Sequence, residues 1–172
     1  MDSAGGLLLN YTGDGKGKTS GALGTALRAL GWGWRVAVLL MIKNARETGE
    51  LRYFRKYHPE MIFECCGEGF TFLPGAHLDA ARRGWARAET LLREFPGELL
   101  ILDELNGALD AGFLDAGRVV QSLQNRRPGL HVILTGRNTP PELAAVCDLV
   151  SEIRCVKHPF EAGIEACKGL DF

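Results

Sequence analysis

Nine consecutive residues, Thr12-Gly13-Asp14-Gly15-Lys16-Gly17-Lys18-Thr19-Ser20, set the tightest limit on what this chain can fold into. They follow an apolar run and lead into a helical period in which Ala22, Leu23, Ala26, Leu27 and Leu30 recur at three- and four-residue spacing. A strand that turns through glycines into a helix leaves the first N–H groups of the helix unpaired. Those groups, with the helix dipole, favour an anion over the turn. Gly13, Gly15 and Gly17 keep the approach clear of side chains, Lys18 adds a cation, and Thr19 brings a hydroxyl suited to Mg2+. The sequence therefore predicts a phosphate-binding loop in which Gly13, Asp14, Gly15, Lys16, Gly17, Lys18 and Thr19 wrap a nucleotide triphosphate. The strict spacing GxxxxGKS/T would put the first glycine at Thr12, so the tight turn falls to Gly13, one position on.

The rest of the chain repeats the same alternation of short apolar runs and helical periods. Strands are predicted near Gly6–Thr12, Arg35–Ile42, Met61–Cys65, Leu99–Leu102, Leu130–Thr135 and Leu149–Val156. Their unbroken apolar character predicts burial on both faces, as in a parallel sheet covered by helices. Helices are predicted over Lys18–Leu30, stopped by Gly31, and over Thr48–Tyr57, Leu78–Phe95, Leu114–Asn125 and Pro141–Val146. With no repeat, linker or charge block, residues 1–172 read as one α/β domain with a mainly parallel sheet of about six strands. The 22 glycines follow no collagen period and form no flexible tract; five of them lie between Gly13 and Gly24. The stretch Cys66–His77 has no clear period, and long loops in compact domains often carry function.

A second motif agrees with the first. The apolar strand Leu99-Leu100-Ile101-Leu102 ends in Asp103-Glu104, an acidic pair at the carboxyl edge of a buried strand, expected to lie beside the first strand. Such a pair can hold Mg2+ directly or through water and position a reacting group.

Several function classes are excluded or disfavoured. Twenty basic side chains balance 21 acidic ones for a formal charge of −1, which argues against bulk nucleic-acid binding. The five cysteines, Cys65, Cys66, Cys147, Cys155 and Cys167, are odd in number and lack CxxC spacing, so neither a disulfide framework nor a thiolate zinc site is expected. No run of apolar residues is long enough for a membrane span, and the expected location is the reducing cytoplasm.

Taken together, the loop Gly13–Thr19, the helix GALGTALRALG, LDEL at Leu102–Leu105, LTGR at Leu134–Arg137, and VKHPF at Val156–Phe160 with the ending Gly169-Leu170-Asp171-Phe172 resemble the P-loop type of ATP:corrinoid adenosyltransferases of the cobalamin pathway. The resemblance runs from about Leu7 to Phe172. It implies a P-loop NTPase-like, RecA-like three-layer sandwich that works as a homodimer. The implied reaction moves the 5′-deoxyadenosyl group of ATP to the Co(I) centre of a reduced corrinoid with release of tripolyphosphate. Mg2+ or Mn2+ would assist, and an electron-donating flavoprotein would supply the reduced corrinoid. By position, Lys18 and Glu104 are implied as catalytic, Thr19, Asp103 and Glu104 as metal ligands, and Arg28 and Arg137 as ATP contacts. The segment GEGFTFLP at Gly67–Pro74 matches the part of the family that presents rings to the corrin, which makes Phe70 and Phe72 the corrinoid candidates. The family usually has tryptophan where Phe72 stands and threonine-glutamine where this chain has Pro74-Gly75. Because the corrinoid brings its own nucleophile, no Ser-His-Asp or Cys-His arrangement is needed. His158 is expected to fix the tail by hydrogen bonding, and Cys65-Cys66 to be small buried hydrophobes. Two other readings stay open on the residues alone: a RecA-like ATP or GTP hydrolase, and a nucleotide- or corrinoid-binding module without turnover.

Overall fold

The computed structural model describes residues 5–42, 48–67 and 76–171. Six strands form one sheet: β1 (Leu8–Thr12), β2 (Val36–Leu40), β3 (Ile62–Cys65), β4 (Leu99–Asp103), β5 (His131–Thr135) and β6 (Leu149–Glu152). Their order is β3-β2-β4-β5-β1-β6, and every neighbouring pair is parallel. All six strands therefore end at one edge of the sheet, so turns distant in sequence share that edge. The helices are α1 (Lys18–Gly31), α2 (Gly49–Tyr57), α3 (Ala76–Glu94), α4 (Leu105–Asp110), α5 (Ala116–Gln124) and α6 (Pro141–Ala144), followed by a single 3-10 turn at Pro159–Ala162.

The period-two alternation of the strands other than β6 sends residues to two separate cores. On one face Leu39, Leu100, Leu102, Val132 and Leu134 pack with Trp85, Ala88, Leu92 and Phe95 of α3, and with Leu105, Val119 and Leu123 from α4 and α5. On the other, Val36, Val38, Leu40, Ile101 and Ile133 pack with Ala22, Leu23, Ala26 and Ala29 of α1 and Phe54 of α2. The result is the predicted three-layer sandwich around a sheet of six strands.

Several local expectations change. The acidic strand β4 does not adjoin β1; β5 lies between them, which brings Thr135 to the site. Burial on both faces holds for β2 and β4 but not for β6, an edge strand on which Leu149 and Val150 are exposed, and which ends at Glu152 rather than Val156. Leu27 belongs to no core; it is 51% exposed. Helix α1 ends at Gly31, as expected, but the left-handed residue that closes it is Gly33 at φ +78°, with Gly33 N–H donating to Leu30 O and Trp34 N–H to Ala29 O. That pair of bonds is a Schellman closure, which needs its left-handed residue just after the cap at Trp32. Helix α4 was not expected; it starts directly behind Asp103-Glu104.

Candidate functional site

The phosphate-binding loop is built by close approach of two chain segments. Gly13 has φ +99°, and a Cβ there would lie 2.4 Å from Ile153 O; the N–H of Gly15 donates to the same carbonyl at 2.7 Å. Glycine at 13 is thus required both by the left-handed backbone and by the segment that follows β6. Gly17, at φ +118°, caps α1 with no side-chain hydrogen bond, and no acidic residue occupies the helix's first turn. The helix N-terminus is left to an anion. Lys18 is buried, and its Nζ donates to Gly13 O and Gly15 O at 2.7 Å each. An ammonium carries three donors, so one remains for a ligand in the loop. Burial pushes the Lys18 ammonium below the ordinary lysine value; Glu104 opposes the shift and Arg137 reinforces it.

Opposite the loop, the end of β4 is held by a polar cluster that the apolar strand patterns concealed. Asp103 is buried, and Thr135 Oγ1 donates to its Oδ1 at 2.7 Å while accepting the N–H of Glu104 at 2.9 Å. Glu104 sits at φ +62°, a conformation uncommon outside glycine, asparagine and aspartate, which the Thr135 bond helps to hold. Two residues on, the buried Asn106 donates through Nδ2 to Asn10 Oδ1 (2.9 Å), Gly136 O (3.2 Å) and Thr139 Oγ1 (2.8 Å). Asn106 therefore ties the turn bearing Glu104 to the turn bearing Arg137. The signal available in the sequence was that Asn10 and Asn106 interrupt otherwise apolar runs.

These elements line a cleft of about 720 Å³. Its polar side is formed by Asp14 to Ser20, Glu104 and Arg137; its other wall is Leu23, Leu27, Tyr53 and Phe54, with Glu50 beside them. One carboxylate oxygen of Glu50 is buried with no hydrogen-bond partner among the described residues. The exposure of Leu27 and Tyr53 follows from their place on this wall. Arg137 Nε is 3.9 Å from Asp14 Oδ1, bridging the β5 turn and the loop. Arg28 is exposed on α1 and is not among the residues that line the cleft. Phe70 and Phe72 lie outside the described residues; the segment that holds them follows β3, whose Glu64 makes a two-pronged ion pair with Arg87 of α3 (2.7 and 3.0 Å). His158 reaches the cleft, and its Nδ1 accepts the N–H of Phe160, as expected for a residue that fixes the tail. The tail contributes Gly169, Leu170 and Asp171, with Asp171 paired to Lys16.

For a divalent cation the cleft offers the Thr19 hydroxyl and the Glu104 carboxylate, while the Asp103 carboxylate, buried and bonded by Thr135, is not among the residues that line it. Among the described residues no group of three His, Cys, Asp or Glu side chains could hold a metal. This donor set fits Mg2+, which takes one or two carboxylates and fills its remaining positions with phosphate oxygens and water.

None of the five cysteines is among the residues that line the cleft. Burial pushes the thiols of Cys66 and Cys147 up to about 11, so both are protonated and poorly nucleophilic at neutral pH. Cys155 and Cys167 are exposed. Iodoacetamide at pH 7.5 is expected to label Cys155 and Cys167 at least about tenfold faster than Cys66 and Cys147, as read by peptide mass spectrometry, because the first two are exposed and the others are not. Equal rates would contradict the burial described here.

Comparison with known proteins agrees with this geometry. Residues 4–172 match the model of the family described as ATP:corrinoid adenosyltransferase BtuR/CobO/CobP. A corrinoid adenosyltransferase of Pseudomonas aeruginosa is 42% identical over 170 residues, covering 97% of this chain and 84% of the relative. A second, from a Sinorhizobium species, is 37% identical over 172 residues, covering 97% and 80%, and a third, from Escherichia coli, is 36% identical over 170 residues, covering 97% and 86%. With the loop, the acidic strand end and the VKHPF tail all inside the matched span, the chain belongs to the ATP:corrinoid adenosyltransferase family.

Proposed function

We propose that this chain, as a single domain, transfers the 5′-deoxyadenosyl group of ATP to the cobalt of a reduced corrinoid. The observation that supports this most strongly is the pairing in one cleft of a polyanion-holding loop with an apolar wall. In the reaction the Co(I) lone pair forms a bond to ribose C5′, the C5′–O bond breaks, and its electron pair leaves on the tripolyphosphate. The chain therefore has two tasks, to hold C5′ in line with cobalt and to stabilise charge on the leaving group. Gly13 to Thr19 wrap the phosphates, with backbone N–H groups, Lys16 and Lys18 facing them. Arg137 and Asp14 border the same side, and Arg137 contacts a phosphate.

Thr19, Asp103 and Glu104 are the residues that would hold Mg2+. When bound, the ion adds positive charge next to the phosphates. Lys18 and Glu104 are the catalytic pair: Lys18 would neutralise charge on the departing tripolyphosphate directly, and Glu104 would do so by holding the cation beside it. The nucleoside end lies along Leu23, Leu27, Tyr53 and Phe54, where a base can stack, and the corrin faces Phe70 and Phe72. A homodimer in the cytoplasm that receives its reduced corrinoid from an electron-donating flavoprotein completes the proposal. Among the described residues no helix is long and apolar enough to cross a membrane.

The test is to mix the protein with ATP, Mg2+ and chemically reduced cobalamin and to follow the cobalt absorbance. Conversion of the Co(I) spectrum to that of an alkylated cobalt supports the proposal. Nucleotide hydrolysis with no alkylated cobalt would replace it with a hydrolase, and ATP binding without any product would replace it with a binding module.

A further inference from the structure

The end of the chain is folded into a small closed turn that delivers a carboxylate to the phosphate loop. Asp171 N–H donates to Cys167 O at 2.8 Å, Leu170 N–H donates to the same carbonyl at 3.1 Å, and Gly169 takes φ +90°. One carboxylate oxygen, Oδ2, accepts the N–H of Cys167 at 2.6 Å; the other, Oδ1, pairs with Lys16 Nζ. Lys16 lies between Gly15 and Gly17 in the loop, and Gly169, Leu170 and Asp171 line the same cleft. The Asp171 side chain is 25% exposed, so the pair is partly shielded, although Lys16 stays half-exposed.

We propose that Asp171 is an internal anion that exchanges with polyphosphate on Lys16 and so weakens the hold of the loop on tripolyphosphate. This rests on the reading of Gly13–Thr19 as a polyphosphate site. A polyphosphate with several charges outcompetes one carboxylate for a lysine, so the contact does not block binding. It supplies a ready partner for Lys16 as the polyanion leaves, and its own negative charge opposes a polyphosphate in the loop. An enzyme whose leaving group is a tripolyphosphate has to let go of a ligand that its loop is built to hold. A carboxylate fixed by its own turn lowers that barrier without removing any phosphate contact. Asp171 acts through Lys16 and is a positioning residue, not a catalytic one.

Asp171→Asn isolates the charge, because the amide oxygen still accepts the Cys167 N–H and the turn is kept. Tripolyphosphate affinity, measured by calorimetry on the full chain, is expected to rise about three- to tenfold in Asp171→Asn, the range for a partly exposed ion pair plus a lost like charge. Lys16→Met is expected to weaken binding, and adding Asp171→Asn to it to raise affinity by about twofold or less, since only the like-charge repulsion is left once the exchanged partner is gone. In turnover, tripolyphosphate should inhibit Asp171→Asn more strongly than the unaltered protein. A merely structural tail would move folding stability and leave these affinities and their coupling unchanged. Unchanged or weakened binding in Asp171→Asn, with normal binding by the unaltered protein, would overturn the exchange alone. No tripolyphosphate binding by the unaltered protein would overturn the polyphosphate reading of the loop, and the exchange with it.

Discussion

Lys18→Ala is expected to lower kcat/KM for ATP by about 10²–10³-fold, the usual cost of removing one preorganised group that stabilises developing charge. The change removes a buried cation of the loop and also leaves Gly13 O and Gly15 O without the Nζ that bridges them. KM for ATP and kcat should therefore both suffer, one through lost loop order and the other through lost leaving-group stabilisation. A pH dependence follows with a definite sign. Burial holds the Lys18 ammonium below the ordinary lysine value, so kcat/KM should decline on the alkaline side earlier than an ordinary lysine would dictate. Bound phosphates add negative charge and favour the ammonium, so the corresponding limb in kcat should lie at higher pH. Steady-state rates of adenosylation across the alkaline range would check both. An alanine variant with undiminished kcat/KM would contradict the placement of Lys18.

The second large effect is expected from Gly13→Ala. A side chain at φ +99° costs roughly 1–3 kcal/mol in backbone strain, and the added Cβ would stand 2.4 Å from Ile153 O. Either the loop or the segment after β6 must move, and the Gly15 N–H bond to Ile153 O is disturbed with it. ATP affinity is expected to fall about 10- to 100-fold, by conversion of that strain at about 1.4 kcal/mol per tenfold. Thermal unfolding should shift by only a few degrees, the change that such strain gives in a domain of this size, so the larger effect falls on the nucleotide. Calorimetry with ATP beside a melting curve separates the two; a large drop in melting temperature with unaltered affinity would contradict the local origin of the effect.

These two predictions also mark what was legible in the sequence. Gly13–Thr19 could be read because the motif is local: turn, glycines, lysine and helix start follow one another, and the physics of an anion at a helix N-terminus needs nothing else. Asp103-Glu104 was legible for the same reason. What closes the loop from behind was not, since Ile153 is about 140 residues away from Gly13 in the chain and nothing in an Ile-Arg pair marks it as a wall for glycines. Strand order was equally hidden. Apolar runs announce strands but not their neighbours, so β5 between β1 and β4 came only from the structure, and Thr135 with it. Edge position explains β6 in the same way: an apolar run was read as a doubly buried strand, whereas Leu149 and Val150 face outward at the end of the sheet. Leu27 illustrates a further ambiguity. Helical spacing put it on the apolar stripe of α1, and the structure puts it at the cleft wall, because the stripe is wider than the face that the sheet covers. The bond between Asn106 and Asn10 is hidden in the sequence, because a buried amide pair is visible only when its partners are.

In the proposed reaction the nucleophile strikes C5′ of ATP while the loop holds an intact chain of three phosphates. A single turnover with limiting ATP, excess reduced cobalamin and Mg2+, analysed by phosphorus NMR, reads this directly. Tripolyphosphate is expected in amounts equal to the alkylated cobalt formed. Pyrophosphate or orthophosphate as the first product would mean a bond broken at phosphorus, and would contradict attack at C5′.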